Sequence, residues 1–532
     1  MPKPGANPAK QASWDAAAEA ATRHATADAN AVNARNLLRS IATAAAAHSQ
    51  YSRALVTALR QVSQGKGGHF RVLDAALLRR TAQLFGVGTS DRGDLEAAAG
   101  LADFFLAQFA WSEHANGMLK FAPRKRQAVW KKLGIEPNGI DASIVEGLQR
   151  TQVEVAHDSR DLIMRALKCS LADGWCASAI AITVSDILFG APHPVRSRVG
   201  LGVLAEDKVN IVLCGKEPLL AEMIVAASCN EELLAHARSQ GAAGINLAAL
   251  GSNAALLRHG LPIVGEVLPP EAALLTGAVE LMILGDENMA SPGDTGDRFH
   301  TKIVSASASA RGLEAEWVGF DLENGYAQAS RLVRTAIDNF PRRDRNRVHI
   351  PPESSEFLAG FSNNAIVHML GGRFRATLRP LIDAIVEGRI RGLAGIFGCP
   401  NPNTAAGQAQ VRTVEELIKR DILVLQTGGA AIACAQAGLL LPEAAAKAGP
   451  GLREICEAVG IPPVLHMGTA VDYARILMAA GAVLEEAGVE DLADLPVAMA
   501  APEWTGEEAA AAAHCLVASG FYVVLGDRLY TD

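Results

Sequence analysis

Eight cysteines are the residues of this chain with the clearest capacity for chemistry, because thiolates bind metals and attack electrophiles. They stand at positions 169, 176, 214, 229, 399, 434, 456 and 515. No C-x-x-C occurs among them, so their spacing predicts neither a zinc ribbon nor a thioredoxin-like motif. We therefore expect most of them to be buried, reduced thiols.

Glycine-rich turns are the second feature that could carry chemistry, and Thr427-Gly428-Gly429 is an example. No G-x-G-x-x-G follows a candidate strand with an acidic residue at the right distance, and G-x-x-x-x-G-K-[ST] is absent. The sequence therefore does not favour a nucleotide site. Tight turns at the carboxyl ends of strands are the simpler interpretation, and those ends are where open α/β sheets bind ligands.

Composition excludes several classes of function. The chain has 532 residues, which predicts two or three domains. Its formal charge of −8 argues against a nucleic-acid partner, because phosphate binding needs a clustered basic face. No apolar run reaches the length of about 18 residues that spans a bilayer, and Met1–Gln11 lacks a signal-peptide pattern. We expect a soluble, cytoplasmic protein without a membrane partner.

The hydrophobic pattern changes near Val209. Before it, apolar residues recur at helical spacing from about Trp14 to Phe189. After it, short apolar runs alternate with helical segments, which indicates parallel sheets with helical crossovers. The candidate strands are Val209–Cys214, Gly244–Leu247, Leu281–Leu284, Lys302–Ser305, Gly392–Cys399, Ile422–Leu425, Pro463–His466 and Pro496–Met499. We predict a helical domain at 1–208 and two α/β domains at 209–352 and 353–532.

A series of short segments resembles the catalytic subunit of the nickel–iron–sulfur carbon monoxide dehydrogenases, in the prismane or hybrid-cluster superfamily. They follow the family's order over nearly the whole chain: Ala34–Arg39, Ala45–Ser49, Leu171–Trp175, Asp186–Gly190, Glu217–Leu220, Arg258–Gly260, Phe299–Lys302, His466–Gly468 and Ala501–Trp504. The resemblance implies a multidomain α/β fold, with a helical domain followed by two Rossmann-like domains with parallel sheets. It also implies a homodimer.

The same resemblance suggests altered chemistry. The family holds two iron–sulfur cubanes through cysteines near its N-terminus, and this chain has no cysteine before Cys169. Of the family's active-site cluster ligands, carried over position by position, only Cys399 remains. Lys216 replaces a histidine, Glu287 aligns approximately with a cysteine, and Glu508 replaces the catalytic lysine. We therefore do not expect iron–sulfur clusters or nickel, and the cofactor is left unknown.

By the family geometry, five residues should face one buried volume: Lys216, Glu287, Cys399, Glu508 and His48. One hypothesis is an enzyme of altered small-molecule chemistry, with acid–base or nucleophilic groups in the former cluster pocket. A mononuclear metal held by Glu287, Glu508, Cys399 and His48 is an alternative. The others are a non-catalytic partner, scaffold or small-molecule sensor, and a residual oxidoreductase of the carbon monoxide dehydrogenase type.

Overall fold

The N-terminal part of the protein is helical. The computed structural model describes residues 8–87, 93–152, 158–215, 217–251, 254–266, 270–285, 298–305, 316–371, 376–401 and 407–526, with side chains from residue 30 onward except at 254–256. Its first helices are α1 (Pro8–Ser63), α2 (Ala75–Phe85), α3 (Asp94–Ala107), α4 (Arg124–Leu133), α5 (Ile140–Arg150), α6 (Ser159–Leu171) and α7 (Ala179–Phe189). Alanine-rich α1 contains no glycine, and its one proline is its first residue, where proline is tolerated.

Helices α6 and α7 are joined by a π-helix at Ala172–Ser178, which makes one continuous helical stretch from Ser159 to Phe189. By length and composition this stretch could cross a membrane, but its apolar window is completely buried inside the protein. Every residue of the π-helix is buried. The stretch is therefore the central core helix, against which α1 and α5 pack.

A sheet with eight strands in the described residues follows. Its strands are β1 (Val195–Val199), β2 (Val209–Cys214), β3 (Ile245–Leu250), β4 (Ile263–Gly265), β5 (Val279–Leu284), β6 (Lys302–Ser305), β7 (Glu316–Trp317) and β8 (Ser355–Ala359), in the order β7-β6-β5-β2-β3-β4-β1-β8. Only the pairing of β1 with β8 is antiparallel among the described strands. Helices α8 (Pro218–Ser228), α9 (Glu231–Ser239), α10 (Ala254–His259), α11 (Pro270–Leu274) and α12 (Gly325–Asn339) accompany this sheet.

The C-terminal part holds a five-stranded parallel sheet. It consists of β9 (Gly392–Ile396), β10 (Ile422–Thr427), β11 (Val464–Gly468), β12 (Val497–Ala501) and β13 (Tyr522–Leu525), in the order β11-β10-β9-β12-β13. Its helices are α13 (Asn363–Gly371), α14 (Arg379–Val386), α15 (Gln408–Ile418), α16 (Gly429–Gln436), α17 (Pro450–Val459), α18 (Ala474–Ala487) and α19 (Glu507–Ala518). Strands β10 and β11 follow β9 on one side of the sheet, and β12 and β13 lie on its other side. The strand order therefore reverses between β9 and β12.

The predicted fold class is confirmed, since a helical region precedes two sheets that are parallel except for one pair. Each predicted strand coincides with or overlaps an observed one. The predicted domain limits remain a prediction, and two strands of the first sheet, β1 and β8, lie on either side of the range 209–352. Strand β8 also approaches the second sheet, because the Gly360 and Phe361 N–H groups donate to the carbonyl of His466 in β11.

A buried carboxylate joins three segments of the chain. Asp186 of α7 accepts hydrogen bonds from both terminal nitrogens of Arg475 in α18, at 2.9 and 2.7 Å, and from Arg258 in α10 at 3.2 Å. Arg258 also donates to Ser185 and to the carbonyl of Gly190. Burial disfavours the charge of Arg475, but Asp186 outweighs burial and raises the pKa of Arg475 above its ordinary value. This cluster fixes the helical region against both sheets.

Candidate active site

A cleft lies at the carboxyl edge of the five-stranded sheet. Cys399 comes from the turn after β9, Thr427 and Gly428 come from the end of β10, and Tyr473 follows β11. Glu508 enters the cleft from the first turn of α19, the helix that follows β12. The cleft contains about 290 Å³ of space, part of it open to solvent. It lies where the strand order reverses, which is the usual ligand position in open α/β sheets.

The turn that carries Cys399 depends on a glycine before it. Gly398 has φ +96°, and a Cβ at this position would lie 2.5 Å from the carbonyl oxygen of Glu503. A side chain here would therefore strain the backbone and overlap the neighbouring segment.

Cys399 itself is partly exposed. Four of the buried thiols, Cys169, Cys434, Cys456 and Cys515, have their pKa raised to about 12 by burial, which makes them poor nucleophiles.

The carboxylate of Glu503 holds the segment that follows Cys399. It accepts hydrogen bonds from the backbone N–H groups of Asn401, Gly407 and Ala409 at 3.0, 2.8 and 2.9 Å. Glu503 is buried, so these bonds are shielded from water. Glu503 thus positions the turn on which the Cys399 thiol stands.

We expect Glu503→Ala to loosen this turn. Each buried N–H group that loses its acceptor costs about 1–3 kcal/mol. Amide hydrogen exchange at Asn401, Gly407 and Ala409 should accelerate by at least about tenfold, while Leu423 and Val424 of β10 keep their protection. Glu443→Ala, in a 3₁₀-helix elsewhere in the same region, is the control. Unchanged exchange at the three amides would contradict the assigned role of Glu503.

A buried histidine lies behind the cleft. His48 of α1 is 1% exposed, and its Nδ1 lies 2.7 Å from Oδ1 of Asp173 in the π-helix. The other oxygen of Asp173 accepts a hydrogen bond from the hydroxyl of Tyr473 at 2.8 Å. Single π-turns inserted in α-helices are frequent at functional sites. Gly174 permits this approach, because a Cβ there would lie 2.6 Å from the Tyr473 hydroxyl oxygen.

The second ring nitrogen of His48 faces Glu508. Its Nε2 lies 3.6 Å from Oε1 of Glu508, which is an ion-pair distance beyond hydrogen-bond range. Burial by itself would lower the pKa of His48, but the charge and hydrogen bond of Asp173, with a further contribution from Glu508, raise it to about 10. His48 is therefore an imidazolium at neutral pH, with Nδ1–H directed at Asp173 and Nε2–H directed at Glu508.

Three of the five predicted site residues come together at this cleft. Cys399 and Glu508 line it, and His48 lies behind Glu508. Lys216 and Glu287 lie outside the described residues, so their role remains a prediction. The site also contains three residues that were not predicted, Asp173, Tyr473 and Glu503. Asp173 carried a usable signal, because it is an isolated charge within the long apolar segment from 171 to 184.

Three comparisons with known proteins agree on the family. The Prismane/CO dehydrogenase family matches residues 25–531. Carbon monoxide dehydrogenase 1 of Methanosarcina acetivorans is 45% identical over 503 residues, which are 94% of this chain and 79% of that protein. The enzyme of Rhodospirillum rubrum is 35% identical over 518 residues, covering 94% and 80%. The chain therefore belongs to the Prismane/CO dehydrogenase family, and the predicted resemblance is confirmed.

Solved structures show the same relationship. A nickel-free carbon monoxide dehydrogenase from Thermococcus sp. AM4 superposes with a TM-score of 0.90 at 41% identity, covering 94% of this chain and 79% of that one. An acetyl-CoA synthase/carbon monoxide dehydrogenase with NiZn[Fe4S4] and NiNi[Fe4S4] clusters in its closed and open alpha subunits superposes with a TM-score of 0.89 at 30% identity, covering 94% and 76%. The chain shares the fold of these proteins over most of its length.

These relatives correct the expectation about cofactors. We expected neither iron–sulfur clusters nor nickel and considered a mononuclear metal instead. That expectation is wrong for this family, because the solved acetyl-CoA synthase/carbon monoxide dehydrogenase has nickel-containing Fe4S4 clusters in its alpha subunits. The described residues of this chain do not complete a thiolate ligand set, since Cys399 is the one cysteine among those that line the cleft. Nor do the described histidines, cysteines and carboxylates form a metal-binding group of three or more.

Proposed function

We propose that this member of the Prismane/CO dehydrogenase family is a homodimeric enzyme that transfers protons to and from a small molecule bound in the cleft. The observation that carries the proposal is the sequence of contacts Asp173–His48–Glu508, which ends at the wall of the cleft. Glu508 is 28% exposed, so it has access to both the cleft and the solvent. It is the group that would exchange the proton.

Each residue has a distinct part in the proposed reaction. The carboxylate of Glu508 accepts a proton from the ligand, and the electron pair of the broken bond stays on the ligand. His48 keeps its own proton, because the charge and hydrogen bond of Asp173 outweigh the effect of burial, and its positive charge orients the Glu508 carboxylate. A proton from solvent, carried by Glu508, then returns to the ligand. General acid–base groups placed in this way contribute about 10²–10⁴-fold to a rate.

The test follows proton transfer directly. We expect the wild-type protein to incorporate deuterium from D₂O into at least one compound of a panel of small carbon acids that includes anions, cations and uncharged molecules, followed by proton NMR. Glu508→Gln should lower that exchange rate by about 100-fold or more. Glu507→Gln is the matched control, because Glu507 is exposed on the same turn of α19.

Two outcomes would contradict the proposal. One is an exchange rate in Glu508→Gln equal to that of the wild type. The other is the absence of catalysed exchange for every compound in the panel, which would favour the non-catalytic partner, scaffold or sensor. The homodimer is tested separately by sedimentation, in which a monomeric species would contradict it.

The similarity to carbon monoxide dehydrogenases favours a second candidate function, the oxidation of carbon monoxide with transfer of electrons to an acceptor. Its support is the 45% identity to the protein from Methanosarcina acetivorans. CO-dependent reduction of a viologen dye by anaerobically purified protein tests it. Dye reduction that is independent of Glu508 would favour this candidate over proton transfer.

A further inference from the structure

Tyr473 connects the wall of the cleft with the buried Asp173. Tyr473 lines the cleft and is only 2% exposed. Its hydroxyl oxygen lies 2.8 Å from Oδ2 of Asp173, and Oδ1 of the same carboxylate lies 2.7 Å from Nδ1 of His48. Each oxygen of this buried carboxylate therefore has a donor, one from the turn after β11 and one from α1.

The turn that carries Tyr473 is held against the π-helix at two points. The hydroxyl of Ser178 donates to the carbonyl of Val471, and Asp173 accepts from Tyr473. Asp173 and Ser178 are five residues apart, which is the hydrogen-bonding repeat of a π-helix. This spacing lets both residues contact one neighbouring turn. The π-helix thus sets the position of the Tyr473 side chain.

The hydroxyl of Tyr473 has little space in which to move. A Cβ at Gly174 would lie 2.6 Å from the hydroxyl oxygen and 2.4 Å from Sγ of Cys515. Burial, together with the charge of Asp173, raises the pKa of Tyr473 above its ordinary value, so the hydroxyl keeps its proton. A hydroxyl that stays protonated donates to Asp173 and does not exchange a proton with a ligand. Its part in the site is therefore different from that of Glu508.

Loss of this donor would change the group that holds His48. Asp173 is completely buried, so water cannot replace a missing hydrogen bond. Hydrogen bonds to an ionised carboxylate stabilise its charge and fix its orientation. With one oxygen unpaired, the carboxylate would rotate or take up a proton. His48 would then lose the fixed negative partner that keeps its own charge directed at Glu508.

Resting on the proton transfer proposed at Glu508, we infer that Tyr473 is a positioning residue for that reaction. Its hydroxyl orients Asp173, and Asp173 in turn orients His48. The positive charge of His48 then orients the carboxylate that exchanges the proton. In this role Tyr473 forms no bond to the reacting atoms and acts only through the two residues behind the cleft.

Tyr473→Phe removes the hydroxyl and keeps the ring in the wall of the cleft. For the panel compound that the wild type deuterates fastest, we expect kcat to fall by about tenfold or more and KM to change by less than about twofold, because alignment is lost while binding is kept. Tyr326→Phe is the matched control, since Tyr326 lies in α12 and its hydroxyl accepts from Asn230 at 3.2 Å. It should change neither constant.

A double-mutant cycle separates positioning through Asp173 from a purely structural role. Asp173→Asn should lower kcat at least as far as Tyr473→Phe, and adding Tyr473→Phe to Asp173→Asn should lower it further by less than about twofold. Independent structural damage would multiply the two losses instead. The inference is overturned by wild-type kcat in Tyr473→Phe, by a change confined to KM, or by losses that multiply. If Tyr473→Phe fails to fold, the double variant compared with Asp173→Asn decides alone.

A measurement on the protein alone separates this inference from the proposed catalysis. With nitrogen-15 in the histidine rings, Nδ1–H of His48 should exchange with water at least about tenfold faster in Tyr473→Phe than in the wild type or in Tyr326→Phe. If no panel compound is deuterated but this exchange accelerates, the proposed proton transfer fails and the coupling of Tyr473 to His48 stands. If compounds are deuterated but Tyr473→Phe alters neither kcat nor this exchange, proton transfer stands and the role of Tyr473 is wrong.

Discussion

Replacing Asp186 with alanine is expected to lower the free energy of unfolding by about 3–5 kcal/mol. The substitution leaves two buried guanidinium groups, those of Arg475 and Arg258, without the carboxylate to which both donate hydrogen bonds. The carboxylates that remain, Asp472 beside Arg475 and Glu222 beside Arg258, lie farther away, at 4.0 and 3.8 Å. Arg475 is 3% exposed and Arg258 is 7% exposed, so water cannot replace the lost interaction. Chemical denaturation of the purified protein measures the difference.

An exposed ion pair supplies the control for Asp186. Arg196 and Glu356 lie 3.2 Å apart on β1 and β8, with side chains 66% and 58% exposed. Glu356→Ala should change the free energy of unfolding by less than about 1 kcal/mol, because water screens this pair. Asp186→Asn, which keeps the shape and removes the charge, should still be destabilised. Equal effects of Asp186→Ala and Glu356→Ala would show that the buried cluster is not a main connection between the segments.

The stability of the protein should fall as the pH rises above neutrality, by about 1.4 kcal/mol per pH unit for one proton. The reason is His48, whose pKa is raised from 6.5 to about 10 in the folded protein. Between these two values the folded state holds a proton that the unfolded state has released. The contribution of His48 is therefore complete below pH 6.5 and is lost as the pH approaches 10.

The useful window for this measurement lies between about pH 7 and pH 8.5. Below it, His466 acts in the opposite direction, because burial lowers its pKa to about 4 and stability therefore rises with pH between 4 and 6.5. Above it, the buried thiols also make the stability of the protein fall as the pH rises, since their pKa values in the folded state exceed the ordinary value of 9.0. Within the window, the slope reports mainly on His48.

Asp173→Asn is the variant that tests this cause. The amide keeps a hydrogen-bond acceptor near Nδ1 of His48 but removes the main charge that raises the pKa. We expect the slope in the window to become nearly flat, and the NMR titration of His48 to move down by several pH units. Asp141→Asn, in α5, where the exposed carboxylate pairs with Arg53 of α1, should leave both unchanged. A slope that persists in Asp173→Asn would show that another group causes it.

Much of the fold could be predicted from local pattern. The buried strands β2 and β5 are short apolar runs followed by glycine, and such runs indicate central parallel strands. Strand β1 was missed because Val195–Val199 reads VRSRV, in which two exposed arginines alternate with the less exposed residues, so no continuous apolar run marks it. Strand β13 was missed because most of its residues are exposed, so no buried run marks it. These two segments form strands because they pair with distant segments of the chain, and a local sequence pattern does not contain that information.

The prediction of site residues from the sequence has a different limit. Cys399 and Glu508 could be found by position within short motifs, and His48 by the segment around it. Asp173 and Tyr473 are 300 residues apart, and their hydrogen bond depends on how the core helix lies against the turn after β11. Glu503 was found only as a member of the segment Ala501–Trp504. Its role could not be predicted, because that role depends on three backbone N–H groups beyond Cys399. Such roles follow from tertiary structure and not from residue type.

The π-helix at Ala172–Ser178 has a consequence for how this protein can change by insertion or deletion. Its wider turn holds one residue more than an α-helical turn, and Asp173 within it and Asp186 beyond it both point to fixed partners. Deleting one residue between them would rotate one aspartate relative to the other by about 100°, given 3.6 residues per turn. Either His48 or Arg475 would then lose its carboxylate. The length of this segment is therefore constrained even where its side chains could be replaced by others of similar size.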